Sequence, residues 1–407
     1  VDKDILILGA GPSGLSTALH LAKDFPHLAP RVLILEKGHH PRPKLCAGGL
    51  VVDAEIILER LGLNVAEIPH VDAHELHFDF EGKGLRLRAP EKQALRVIRR
   101  EEFDAWLAEK AKSRGIEIRE GVTVKSVQPR ENDVIVETDA GTFTARVVVG
   151  ADGSNGVTRR CILPNAPVYT ARALEALTPV QPFIAERPQA DESTSLASVK
   201  IASFEPLLAT LHRNDAAFFD FFPVPENIAG YVWDFPTQVG GRAMRCWGAY
   251  DTNLLANGKR PQLKDALAQE MRRHGFDLND YEIQGHPIRW YHPSNPLSAP
   301  RVLLVGDAAG ADPLFGEGIS IALGYGELAA REIGESFQRD EFSFDGYRRR
   351  LARSGLGRTL WARWFISQVV YTFKWRWFQI LLWRIVKPLL AFFGWRLVLN
   401  WSKRLKA

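Results

Sequence analysis

The sequence predicts an α/β fold. A parallel sheet is assembled from separated stretches of chain, an antiparallel sheet domain lies between them, and a helical tail closes the C-terminal end. Three observations carry this expectation. The apolar run Ile5-Leu6-Ile7-Leu8 passes straight into Gly9-Ala10-Gly11-Pro12-Ser13-Gly14 and an apolar stretch from Leu15 to Leu21. Between residues 165 and 290 the pattern turns to aromatics, prolines and short alternating runs. A buried-strand pattern, Arg301-Val302-Leu303-Leu304-Val305, then enters Gly306-Asp307 and resumes the parallel arrangement.

Taken in order, the first element is the most informative. After the Leu15–Leu21 stretch a strand, Arg31-Val32-Leu33-Ile34-Leu35, ends in Glu36, which stands 22 residues beyond Gly14. Strand, glycine turn, helix, strand and acid, in that order, form the context in which G-x-G-x-x-G signals a dinucleotide site. Gly9 permits the tight turn, Gly11 lets backbone approach a pyrophosphate, and Gly14 lets helix and strand pack closely. The helix N-terminus offers unpaired N–H groups and the positive end of its dipole. Glu36 is placed to accept hydrogen bonds from a ribose, which favours FAD or NAD over NADP.

A Pro- and Gly-rich loop, His39 to Leu50, follows, then a helix from Val51 to Leu61. Leu76, Phe78 and Phe80 alternate with polar residues, as do Leu85 and Leu87, which predicts half-buried strands of a second sheet. Glu101 to Arg114 reads as a helix with Phe103, Trp106, Leu107 and Ala111 on one face. Strands are expected around Val122–Val127, Val134–Thr138 and Phe143–Val149, the last ending in Gly150-Ala151-Asp152-Gly153-Ser154. Helix Ile319 to Phe337 completes the body. The nucleotide domain is thus expected over 1–50, 95–164 and 290–345, the substrate domain over 51–94 and 165–289, and the tail over 346–407.

A chain of 407 residues with 46% hydrophobic content accommodates two such domains. Cys46, Cys161 and Cys246 are widely spaced, which argues against a disulfide framework or a zinc site and suits a reducing compartment. No metal ligand set is expected. The first apolar run opens the nucleotide fold and follows no basic segment, so no signal peptide is expected. The net charge of +4 hides an asymmetry: residues 347–407 hold 14 Lys or Arg and no Asp or Glu, leaving the remainder near −10. Seven of the 11 tryptophans also fall there, which marks a segment facing a different solvent from the body.

Further motifs agree with the first. Gly306-Asp307-Ala308-Ala309-Gly310 follows a strand, where a carboxylate can bind a sugar-alcohol hydroxyl. Gly316-Glu317-Gly318-Ile319 opens a helix whose N-terminus favours negative charge on a reduced flavin ring. Gly150-Ala151-Asp152-Gly153 allows close backbone approach, and Arg100 stands just before a helix, suited to a pyrophosphate or ring contact. In these motifs the chain resembles the FAD-dependent two-domain flavoproteins of the aromatic-hydroxylase type, with a Rossmann-type FAD-binding domain. Within them it is most similar to the geranylgeranyl reductase family. Lys44-Leu45-Cys46-Ala47-Gly48-Gly49 resembles that family's cysteine-glycine loop beside the flavin. Gly230-Tyr231-Val232-Trp233-Asp234-Phe235-Pro236 matches its Y-x-W-x-F-P cavity motif. The resemblance covers roughly residues 1–340. Ala47, where the family commonly has glycine, and Asp234, an acid in an apolar motif, depart from it. Strand alternation is expected to put Tyr231, Trp233 and Phe235 on one face and Asp234 on the other.

The resemblance implies an FAD site formed by Gly9, Gly11, Pro12, Ser13, Gly14, Glu36, Lys37, Lys44, Cys46, Ala47, Gly48, Arg100, Val124, Asp152, Gly153, Gly306, Asp307, Pro313, Gly316, Gly318 and Ile319. It implies substrate contacts at Tyr231, Trp233, Phe235 and Pro236, with Cys46, Tyr231 and Trp233 nearest the chemistry. It further implies reduction of carbon–carbon double bonds in a prenyl (geranylgeranyl-type) chain of a lipid, quinone or pigment, with NAD(P)H or a ferredoxin-like carrier protein as electron donor. A flavin monooxygenase or halogenase, and a membrane-bound electron-transfer subunit, are the competing expectations; the halogenase pattern W-x-W-x-I-P is not apparent. In the tail, Arg384, Lys387, Pro388 and Arg396 interrupt every apolar span, so a crossing helix would carry charge near its centre. A basic, tryptophan-rich segment lying on the cytoplasmic surface of a membrane is expected instead, or else helices packed over the substrate domain or another subunit. Anionic lipid would add roughly 1 kcal/mol per basic residue near the surface. The tail is too apolar, and the body too acidic, for nucleic acid.

Overall fold

The computed structural model describes residues 3–88, 92–180, 215–254, 262–393 and 400–404. The stretches 181–214 and 255–261 of the expected substrate domain, and Trp395 and Arg396 of the tail, lie outside the described residues.

The parallel sheet draws its strands from four stretches of chain. Its order is Ser298–Ala299, Val302–Leu304, Val147–Gly150, Ile5–Leu8, Val32–Glu36, Glu117–Glu120. All neighbours are parallel except the short Ser298–Ala299 edge. Continuous apolar strands suit a sheet covered on both faces, and Ile5 to Leu8 are fully buried. The two faces are covered by different structures. Ile5, Ile7, Val32 and Ile34 pack under helices Pro12–Asp24 and Ile319–Arg339. Leu6, Leu8, Leu33 and Leu35 pack against Val127, Val134, Val136 and Phe143, from the antiparallel meander Val124–Pro129, Val134–Thr138, Gly141–Ala145. The helix pair is close because Gly326 has no side chain. A Cβ there would fall 2.5 Å from Ser16 Cβ, while Ser16 Oγ donates to Leu323 O at 2.7 Å.

The second sheet has seven strands in the order Gln284–Arg289, Thr170–Pro179, Arg242–Asp251, Gly230–Val239, Ala216–Asp220, Glu75–Phe80, Lys83–Arg88. It differs from the expected antiparallel sheet at one junction, where Ala216–Asp220 runs parallel to Glu75–Phe80. The 75–88 hairpin enters from early in the chain, so no tight turn joins it to its neighbour and none dictates an antiparallel pairing. Helix Val52–Arg60, expected with the substrate domain, instead buries Ala54, Ile57 and Leu58 in the nucleotide-domain core.

The tail is built into both cores, so the packed alternative holds for the substrate domain and extends to the nucleotide domain. Helix Gly355–Thr372 starts at Ser354, whose Oγ accepts from Gly357 N at 3.0 Å. Val370, Tyr371 and Trp383 join the apolar cluster of the second sheet, with Trp383 stacked on Phe221 at 4.0 Å. Trp401 is fully buried against Gly324, and the Asn400 and Ser402 amides donate to Asp53 at 2.9 and 2.7 Å. Among the described residues no helix is long and apolar enough to cross a membrane. Arg363, inside helix Gly355–Thr372, is 1% exposed and reaches Asp312 Oδ2 at 2.8 Å and Glu317 Oε2 at 3.3 Å. Removing one member of a buried pair leaves uncompensated charge, which costs about 3–5 kcal/mol. Arg363→Leu should therefore lower the unfolding free energy by that order, read as a lower urea midpoint at an unaltered slope; an unchanged midpoint would show that the pair contributes nothing.

Candidate active site

The site begins at the glycine turn between Ile5–Leu8 and helix Pro12–Asp24. Gly9 has φ +110°, and a side chain there would lie 2.5 Å from Ala151 O. One at Gly14 would lie 2.1 Å from Gly9 O, so helix and strand touch through backbone alone. Gly11 is different. The nearest atoms to a Cβ built there are the Arg42 and Arg100 guanidinium nitrogens, 3.8 and 4.0 Å away. Bare backbone, a helix N-terminus with Pro12 in its first turn and no acid there, and two cations converge on one space. That is a setting for a polyanion.

Asp104 holds those cations. Fully buried, it accepts from Arg100 Nε and Nη2 at 2.8 and 2.9 Å, and Arg42 Nη2 lies 3.4 Å from it. Burial works against the Arg100 charge, but Asp104 more than offsets this and keeps the guanidinium protonated. Neither Arg42 nor Asp104 was picked out from the sequence; the i, i+4 spacing of Arg100 and Asp104 on a helix was the available signal. Glu36 is buried at the end of its strand and accepts from Ala10 N at 2.8 Å and Gly38 N at 3.0 Å. Arg42 Nε lies 3.2 Å from it.

Pro12, Ser13, Lys37, Lys44, Ala47, Gly48, Val124, Asp152, Gly153, Asp307, Gly316, Gly318 and Ile319 all line one cavity with Gly9, Gly11, Glu36, Cys46 and Arg100. Gly14, Gly306, Pro313 and Pro236 are not in its wall. Gly14 and Gly306 act through packing, since a Cβ at Gly306 would lie 2.6 Å from Ser13 Oγ. The Pro313 carbonyl accepts from Tyr250 OH at 3.4 Å. The Asp152 carboxylate is turned to helix Val157–Ile162, accepting from Thr158 N and Oγ1 at 2.8 and 2.9 Å. Asp307 accepts from Ser154 Oγ at 3.1 Å. Lys44 Nζ lies 2.7 Å from Nε2 of His286, a residue the sequence reading passed over. Burial lowers both pKa values, that of His286 to about 4, so the lysine donates to a neutral imidazole. Burial raises the Cys46 thiol pKa, opposed by Arg100, so Cys46 remains a thiol rather than a thiolate.

The same cavity, about 1030 Å³ in volume, also includes an aromatic chamber. Tyr231, Trp233 and Phe235 line it together, on one face of strand Gly230–Val239. Asp234 lies on the other face, paired with buried Arg245 at 2.7 Å, so the acid in the aromatic motif does not meet the chamber. Pro236 follows the Asp234 face by the same alternation. Leu76, Phe78, Leu314 and Phe315 add apolar wall, and Ile366, Val370, Leu382, Trp383 and Leu390 close it from the tail. Packing of the tail over the substrate domain was among the expectations, but these residues were not named as part of the cavity wall.

Residues 2–192 match the family model for the FAD binding domain. The chain is an FAD-dependent oxidoreductase. The flavoprotein is 24% identical, over 80% of its length and 75% of the relative's, to a menaquinone reductase of Mycolicibacterium smegmatis. A geranylgeranyl bacteriochlorophyll reductase-like structure from Thermoplasma acidophilum superposes with TM-score 0.71 at 20% identity, covering 90% of this chain and 86% of the other. A variant of the halogenase PltM in complex with FAD gives 0.64 at 16% identity, covering 91% and 76%. These structures share the two-domain flavoprotein fold. The residues present suit FAD: Gly11, Arg42 and Arg100 would hold the pyrophosphate, Glu36 the adenosine ribose, and Asp307 with the Ile319–Arg339 helix N-terminus the flavin side. Gly11→Trp would fill the space under the two guanidinium groups, so the purified variant should lack flavin absorbance at unchanged helix content. A normal flavin-to-protein ratio would refute the placement.

Proposed function

We propose that this flavoprotein saturates isolated carbon–carbon double bonds in the prenyl chain of a membrane-dissolved lipid, quinone or pigment. The observation that supports it is the continuity of the cavity, from the charged cleft at Gly11 to the aromatic chamber at Trp383. A prenyl chain offers nothing to hydrogen-bond, so its binding rests on burial, at about 0.8 kcal/mol per CH₂. Bound and reduced, FAD supplies a hydride. The chain's own residues do the rest. The apolar wall excludes water from a carbon that gathers positive charge, and the Tyr231 and Trp233 ring faces can stabilise that charge. Cys46, still a thiol, sits between cleft and chamber as a group for substrate positioning or proton supply. The electron donor in this reading is NAD(P)H or a ferredoxin-like protein.

The outer face of the tail supports a membrane source for the substrate. Eight of the ten exposed large apolar side chains among the described residues lie between Trp361 and Leu389, including Trp375, Trp377 and Ile385 at 55, 61 and 65% exposure. Part of the tail's positive charge is already committed to the body. Arg376 binds Glu81 at 2.7 Å, Arg384 donates to Phe80 O at 2.6 Å, and Arg363 is buried. Attachment in this reading is monotopic and led by aromatic insertion, with the remaining basic residues facing anionic headgroups. The surface is continuous with the cavity roof, since Phe365 is both exposed and in the wall.

Under anaerobic conditions the dithionite-reduced flavoprotein, given a geranylgeranyl lipid in detergent, should reoxidise its flavin while the lipid gains two hydrogens per bond. Reoxidation only with oxygen would move the assignment to a monooxygenase or halogenase, and a strict need for a protein partner to an electron-transfer subunit. The combined variant Trp375→Glu, Trp377→Glu, Ile385→Glu should lose co-sedimentation with phosphatidylglycerol vesicles while keeping its flavin. Undiminished co-sedimentation would refute the membrane face.

A further inference from the structure

Saturating one double bond requires a proton beside the hydride, and most protic groups around the cavity are already committed. The Tyr231 hydroxyl donates to Phe315 O, the Tyr371 hydroxyl to Leu314 O, and Tyr250 to the carbonyls of Asp312 and Pro313. Among the described residues, five carboxyl groups line the cavity: Glu36, Asp152, Glu175, Asp307 and Glu317. Glu36 accepts from two backbone amides, Asp152 from Thr158, and Asp307 from Ser154. Glu317 accepts from Ser320 N and Oγ and faces Arg363.

Glu175 stands apart from these four. It sits mid-way along strand Thr170–Pro179, with Ala171, Ala173 and Leu177 on its face, all packed in the aromatic cluster. Cross-strand register puts Glu175 opposite Gly248, and Gly248 opposite Trp233, so the three form one row across the sheet. The absent side chain at Gly248 makes the row usable. A Cβ there would lie 2.0 Å from Trp233 Cζ2, so the indole lies over the glycine, in the gap between its own strand and that of Glu175. Two residues back along the strand, roughly 7 Å at 3.3 Å per residue, Ala173 pairs with His286, which holds Lys44 of the cysteine-glycine loop. Glu175 thus lies between the loop at the flavin end and the aromatic wall.

We propose that Glu175 is the proton donor for alkene reduction, an assignment that rests on the prenyl-reductase reading. The hydride, carrying two electrons, bonds to one alkene carbon, and the Glu175 carboxyl proton bonds to the other. The π bond is replaced by two C–H bonds, and the glutamate left as carboxylate regains a proton from water before the next cycle. The surroundings suit the role. Burial pushes the Glu175 carboxyl up to about 7, while Arg99 and a hydrogen bond with the Cys246 thiol pull it down and Glu101 pushes it up. Cys46, on the flavin-side loop, is the other titratable group that senses its charge. The acid is protonated below about pH 7 and loses its proton as pH rises through that value.

The test compares wild type with Glu175→Gln, an isosteric variant whose flavin content and circular dichroism report intact folding. Single-turnover reduction of a geranylgeranyl lipid by wild type should fall as pH rises through about 7. The variant should be slower by on the order of 10²-fold or more and should lose that limb of the profile. Independently of turnover, difference infrared spectra of the flavin-free protein should show a carboxyl band with a midpoint near 7 that the variant lacks. Wild-type turnover with an unaltered variant rate, or a carboxyl band that survives the substitution, overturns this assignment alone. Failure of wild type on every prenyl substrate overturns the reductase reading, and the assignment with it.

Discussion

The buried guanidinium of Arg363, held between Asp312 and Glu317, ties the tail to the turn that opens the flavin-side helix. Two carboxylates and one cation in a nearly dry setting are stable only together, since each alone would carry a large desolvation cost. Burial raises the Glu317 pKa, and Arg363 opposes the rise. Helix Gly355–Thr372, which carries Arg363, also sends Ile366 and Val370 into the cavity wall, so the tail's charge contact and its apolar contact support each other. Cleft, chamber and roof are therefore one structure, and the tail is part of the site.

The cavity is graded in polarity along its length. At one end, backbone without side chains and paired arginines make a place for phosphate. At the other, aromatic and aliphatic side chains make most of the wall, with Glu175 beside them. The grading follows from strand alternation. Gly230–Val239 sends Tyr231, Trp233 and Phe235 inward, and Asp234 outward to Arg245. A charged residue in an aromatic motif is thereby accommodated at no cost to the chamber.

The tail has an apolar inner face and an apolar outer face. Its inner face packs Trp383 on Phe221 and Tyr371 against Leu314. Its outer face leaves Trp361, Phe365, Trp375 and Trp377 exposed, an arrangement unusual on a soluble surface where large apolar patches mark interaction sites. The stretch has no Asp or Glu, so its cations find their carboxylate partners in the body, as Arg363 does at Asp312 and Glu317 and Arg376 at Glu81.

Local constraint determined what could be read in the sequence alone. Gly9, Gly11, Gly14 and Glu36 were legible because a turn, a backbone approach and a strand end each demand a residue type at a fixed spacing. The split of Tyr231, Trp233 and Phe235 from Asp234 was legible because strand period is two. Only the tertiary structure decided the rest. Arg42 and Asp104 meet at Gly11 from a loop and a helix about 60 residues apart, and no spacing rule connects them. His286 and Glu175 acquire meaning only through register across a sheet whose strands are far apart in sequence. The tail's basic and aromatic composition was plain, but composition does not state which face a helix buries. That was settled by Asp312, Glu317 and the aromatic chamber, which supplied partners the tail could not find in itself.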